Sequence, residues 1–124
     1  MTFINPADVP PLSSAYSQAV MTDSHIFVSG LVSVNGKGEK VGVGDISIQT
    51  TTVLTNMERI LKEADGDRRS VVSVTAYITD FALYGEYAYA YAQFFGDHRP
   101  ARATVRADLV DDAFLVEMQA IALR

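Results

Sequence analysis

VVSVTAYITD, residues Val71 to Asp80, alternates at the period of a β-strand. Val72, Val74, Ala76 and Ile78 fall on one face and Ser73, Thr75, Tyr77 and Thr79 on the other, since successive strand residues point to opposite sides of a sheet. Valine, isoleucine and threonine favour that backbone because a branched Cβ packs well on a pleated surface. The stretch therefore reads as a strand with one apolar and one semi-polar face. Its neighbours say what covers the apolar one.

Upstream, Asp45 is placed to cap a helix in which Ile46, Val53, Met57, Ile60, Leu61 and Ala64 recur near helical spacing, and Asp65-Gly66-Asp67 stops it. Downstream, residues 83–95 set Tyr84, Tyr87, Tyr91, Phe94 and Phe95 along one helical side before Gly96 breaks the pattern. Farther out, Tyr16 to Met21 and His25 to Val32 read as strands joined by a polar turn over Thr22 to Ser24. VNGKGEKVG (Val34–Gly42) carries turn chemistry, and the amino end, punctuated by Pro6, Pro10 and Pro11, reads as an extended arm. Ala103 to Val110 and Phe114 to Leu123 read as the last strands, joined by a turn over Val110–Ala113. The order β-β-α-β-α-β-β predicts one α+β domain over residues 1–124, with both helices on one side of a single sheet.

Carried through the later strands, the alternation predicts which face those helices cover. Ala103, Val105 and Ala107, then Val116, Met118, Ala120 and Ala122, join the apolar set. Arg102, Thr104 and Arg106, then Leu115, Glu117, Gln119 and Ile121, join the opposite one. That second face, with Phe27, is too polar for a core and too apolar for water, so it is expected to meet another subunit and to keep some polar groups for a site. From pattern alone, Arg102 reads as a surface arginine and Glu117 as the ion-pair partner of Arg106. Tyr87 and Tyr91 read as core packing, His25 and His98 as structural or solvent-exposed, and Gly30 as a bulge or close approach.

Composition narrows the function classes. At 124 residues and 13.5 kDa, with 48% hydrophobic and 20% charged residues, the chain has the profile of a globular domain. It contains no cysteine and two histidines, which argues against disulfides, thiolate chemistry and a zinc site, and suits a cytoplasmic setting. No basic-then-apolar leader and no long apolar run are present, so neither secretion nor membrane association is expected. A net charge of −5 and a pI near 4.8 argue against nucleic-acid binding.

Seven motifs taken together resemble one family over almost the full chain. AYSQAV (Ala15–Val20), FVSG (Phe27–Gly30), TTVLTNMERIL (Thr51–Leu61), VTAYITD (Val74–Asp80), YAQFF (Tyr91–Phe95), PARATV (Pro100–Val105) and VEMQAIA (Val116–Ala122) stand in the order and spacing of the RidA/YjgF reactive-intermediate deaminases. The resemblance implies a chorismate-mutase-like fold, a single mixed sheet with two helices on one face, assembled as a homotrimer with sites between subunits. It implies hydrolysis of short-lived 2-imino acids, such as 2-iminopropanoate and 2-iminobutanoate, to 2-oxo acids and ammonia without a cofactor or metal.

By the same resemblance, Arg102 clamps the substrate carboxylate, Glu117 orients or activates water, and Tyr16, Ser29, Gly30 and Thr104 line the site. The chemistry agrees, because a guanidinium fork matches a carboxylate in two parallel hydrogen bonds. A carboxylate in a partly dry cleft is likewise suited to general-base work. Two positions depart from the common pattern: Ala88 stands where many members carry asparagine, and Arg106 where an acidic residue is common. These bear on substrate range. The alternative from another class is a non-catalytic trimer that binds 2-oxo acids and signals to a partner. A ribonuclease reading fits least, given the acidic balance.

Overall fold

The computed structural model describes all residues from Met1 to Arg124. Six strands form one mixed sheet: β1 (Thr2–Ile4), β2 (Ala19–Met21), β3 (His25–Leu31), β4 (Val71–Ile78), β5 (Ala101–Arg106) and β6 (Val116–Leu123). Two helices, α1 (Ile46–Glu63) and α2 (Tyr84–Phe95), pack on one face. The strand order is β1-β2-β3-β6-β4-β5, antiparallel throughout except for the parallel pair β4–β5. The predicted fold class is therefore observed. No helix is long and apolar enough to cross a membrane.

Local chemistry accounts for the helix ends. The Asp45 carboxylate accepts from the Ile48 amide at 3.1 Å, satisfying one of the donors that a helix start leaves open. At the other end Asp65 turns left-handed at φ 61°, and the Gly66 amide donates back to the Leu61 carbonyl at 2.8 Å. The inward side of α1 then buries Ile46, Val53, Leu54, Met57, Ile60 and Leu61 against the sheet. Each such side chain removed from water stabilises the fold by about 1.5–3 kcal/mol. The fully buried Gln49 ties α1 to the segment before β6, its amide nitrogen donating to the Ala113 carbonyl (2.8 Å) and its oxygen accepting from the Leu115 amide (2.8 Å). That bond pair fixes where β6 begins.

Several sequence expectations are corrected. The first predicted strand shrinks to Ala19–Met21, and Tyr16 lies in irregular chain ahead of it, while part of the extended arm becomes β1. Val72 does not join the core. The β4–β6 register slips between Val71 and Ser73, so Val71 takes the buried position and Val72 is extruded. Leu115 precedes β6 and packs against the core. In the sheet, β4 lies between the last two strands and leaves β5 at the edge.

The largest correction concerns the faces of β5. Arg102 pairs with Val74, Thr104 with Ala76 and Arg106 with Ile78, all on the helix side. Ala101, Ala103 and Val105 pair with Ser73, Thr75 and Tyr77 on the open side. The assignment drawn from apolarity is inverted, since alternation defines two sets of residues without saying which one meets the helices. At a sheet edge a long arginine can lay its stem on a helix and keep its charge near water, so the usual penalty for the inner face lapses.

Candidate functional site

On the open face, one row of registers runs Phe3, Val20, Phe27, Ile121, Ser73 and Ala101 across all six strands. Phe27 and Ile121 remain 45% and 37% exposed, so the row is uncovered within the chain. Two steps along β6 stands Glu117, opposite Tyr77 of β4. On its other side β3 carries a bulge, for Val28 pairs with Ala120 and Leu31 with Met118, leaving Ser29 and Gly30 to span one residue of β6.

Gly30 brings its backbone close to the end of the Glu117 side chain. A Cβ at this position would collide with Glu117 Oε2 and lie 3.1 Å from Cδ. The Glu117 side chain is half-buried and takes part in no hydrogen bond or ion pair within the chain. Burial alone pushes its carboxyl above the usual carboxylate range. Ser29 is held beside it, its Oγ donating to the Ser17 carbonyl at 2.6 Å and its amide to the Gln18 carbonyl at 2.9 Å. Tyr16 lines a small hollow with Gly30, and its hydroxyl accepts from the Leu12 amide at 3.1 Å. Glu117, Gly30 and Ser29 thus gather at the β3 bulge, and Tyr16 meets Gly30 across the neighbouring hollow.

Arg102 and Thr104 are on the other side of the sheet. The Arg102 guanidinium lies along a ladder of tyrosines on α2, 4.7 Å from the centre of the Tyr91 ring, 5.4 Å from Tyr87 and 5.9 Å from Tyr84. Its Nη2 donates to the Tyr84 hydroxyl at 2.8 Å, and no carboxylate pairs with it. Thr104 shares a hydrogen bond of 2.8 Å with the Tyr87 hydroxyl. Desolvation raises the Tyr87 hydroxyl and pushes Tyr91 up to about 12, so both rings are neutral. Tyr87 and Tyr91 are buried, as expected of core residues, and also form the surface on which the arginine rests.

Within one chain the six expected site residues therefore form two groups on opposite faces. The sheet also separates Glu117 from Arg106, so the ion pair considered for them does not form. Tyr84 was missed by the sequence reading. Its signal was the polar tip of the first ring in the 84, 87, 91 stripe, which apolar periodicity does not register. His98 is structural: its Nε2 lies 2.7 Å from the Val71 carbonyl, which requires the ring nitrogen to donate.

The endoribonuclease L-PSP family model matches residues 7–124. The chain belongs to this family, that of the YjgF/RidA proteins. It is 33% identical to the 3-aminoacrylate deaminase RutC of Acinetobacter baylyi, over 96% of this chain and 94% of that protein. It is 30% identical to the 2-iminobutanoate/2-iminopropanoate deaminase of Rattus norvegicus, over 98% of this chain and 88% of that one. Among solved structures, E. coli TdcF with bound serine superposes with a TM-score of 0.91 at 27% identity, covering 100% of this chain and 99% of that one. Both sequence relatives are named as deaminases, enzymes that act on C–N bonds.

Proposed function

We propose that this protein hydrolyses small 2-imino acids, and the enamines that tautomerise to them, to 2-oxo acids and ammonia. One observation carries the reading. An arginine fork without a carboxylate and a half-buried carboxylate without a partner stand on opposite faces of one sheet. Each lacks what the other would bring to a ligand, and they converge only if two copies associate through the open face with Phe27 and Ile121. A homotrimer, the assembly implied by the sequence resemblance, supplies three such junctions.

In the shared cleft Arg102 binds the carboxylate of the imino acid in a two-bond fork. Glu117 from the neighbouring copy accepts a proton from water as the water oxygen bonds to C2 and the C=N electrons move to nitrogen. Glu117 then returns that proton to nitrogen, giving the amino alcohol. It next takes the C2 hydroxyl proton and passes it to the amino nitrogen as the C–N bond breaks, so that ammonia leaves and C2 becomes the ketone. One water is consumed and no oxidation occurs. The raised Glu117 pKa makes its carboxylate a stronger base. The substrate supplies its own electrophile, so positioning and one proton carrier suffice.

Mixed assemblies test both claims together. Arg102→Ala and Glu117→Gln should each be nearly inactive towards 2-iminobutanoate generated in situ. Unfolded together in equal amounts and refolded, they should regain activity, because about one junction in four then pairs an intact arginine with an intact glutamate. A mixture as inactive as its parents would refute a site shared between copies. An unmodified protein that binds 2-oxobutanoate without speeding ketoacid formation would refute the hydrolase reading.

A further inference from the structure

We infer that Tyr84 is a positioning residue that aims the Arg102 clamp, an inference that rests on Arg102 holding the substrate carboxylate. The three ladder hydroxyls have different fates. That of Tyr87 is committed to Thr104, and that of Tyr91 is buried without any partner. Tyr84 alone touches a charge, accepting from Arg102 Nη2 at 2.8 Å, and this is its only side-chain hydrogen bond.

The arginine needs such a tether. It stands exposed on an edge strand, with no ion pair to fix its terminal torsions. Ring faces attract a guanidinium but leave it free to rotate over them, whereas a hydrogen bond to one nitrogen selects an orientation. The phenol engages one N–H of the fork and leaves the others for a carboxylate. Tyr84 begins α2, and the preceding turn is fixed by the Asp80 carboxylate accepting from the Ala82 amide at 2.8 Å, so the tether is anchored to the fold. Arginine is thus presented pre-oriented, and the ligand does not bear the cost of freezing it.

Calorimetric titration of 2-oxobutanoate into four variants and the unmodified protein tests this. Tyr84→Phe, which deletes only the hydroxyl, should weaken binding about three- to tenfold, the range for immobilising one flexible side chain. Tyr89→Phe, the same deletion on a ring 69% exposed and without a hydrogen bond, should change nothing. In an Arg102→Lys background, Tyr84→Phe should add no further loss, because its action runs through the guanidinium. In imine hydrolysis Tyr84→Phe should raise KM by a larger factor than it lowers kcat. Full affinity in Tyr84→Phe beside a loss in Arg102→Lys would sink the positioning role and leave the clamp standing. Equal losses from Tyr84→Phe in both backgrounds would show a structural effect and also sink it. No loss in Arg102→Lys would overturn the clamp and this inference with it.

Discussion

Arg68 and Arg102 both lie against aromatic rings of α2, and the fold completes one and leaves the other open. Arg68 sits 3.9 Å over the Phe94 ring, donates Nε and Nη2 to the two oxygens of Glu58 at 2.8 and 2.6 Å, and gives Nη1 to the Phe94 carbonyl at 2.6 Å. Those side-chain bonds hold the Glu58 carboxyl below the usual range. Arg102 has the aromatic support and no carboxylate, and Glu117 is a carboxylate with no cation. The same chemical pair is closed inside the chain in one region and left unclosed in the other. A pair closed within the chain braces α1 against the start of β4. A pair held apart on two faces of a sheet keeps its bonding capacity for a ligand or a second copy.

The contrast breaks first at the carboxylates. Glu117→Gln should cut imine hydrolysis about a hundredfold or more, the scale of a lost general base. The acid limb of the kcat/KM profile should lie above the ordinary carboxylate range in the unmodified protein and vanish in the variant. Stability should move the other way. Glu117 binds its proton more tightly folded than unfolded, so its contribution is present at low pH and lost as pH rises through the raised pKa. Denaturation of Glu117→Gln should therefore show a gain over the unmodified protein at neutral pH that shrinks on acidification. A gain independent of pH would mean that the carboxylate is not desolvated.

Substitutions at the arginines should have smaller effects. Arg102→Lys keeps the charge and loses the fork, which should weaken 2-oxobutanoate binding about ten- to a hundredfold, with folding stability little changed. Arg68→Lys should do the reverse, leaving affinity intact and costing about 1 kcal/mol, a modest figure because the Arg68 side chain is 39% exposed. That cost should be present above the unfolded carboxylate range and fade as pH falls through the lowered Glu58 pKa. Arg106→Lys gives the smallest effect: it forms no ion pair or side-chain hydrogen bond, so both affinity and stability should stay near those of the unmodified protein. A loss at Arg106 equal to that at Arg102 would mean a diffuse positive field rather than a fork.

Both helices, the central strands and the ends of α1 were legible in the sequence. Asp45 and the stop at Asp65-Gly66 follow from backbone groups that any helix end leaves open, and the α1 stripe follows from its period. The motifs around Arg102 and Glu117 were likewise legible as strings. Which neighbours those residues have follows from long-range packing. Alternation along PARATV contains no sign for the faces; that came from β4 pairing in parallel with β5 through α2, a contact between distant segments. The bulge at Val72 and the β3 bulge over Ser29 and Gly30 arise from β6 fitting between two strands at once. The close approach of Gly30 to a carboxylate depends on a glutamate far along the chain. Local propensity acts within a few residues, whereas strand order and register are settled by how all six strands share one core, and on that sharing depends whether a charge ends inside a pair or facing a site.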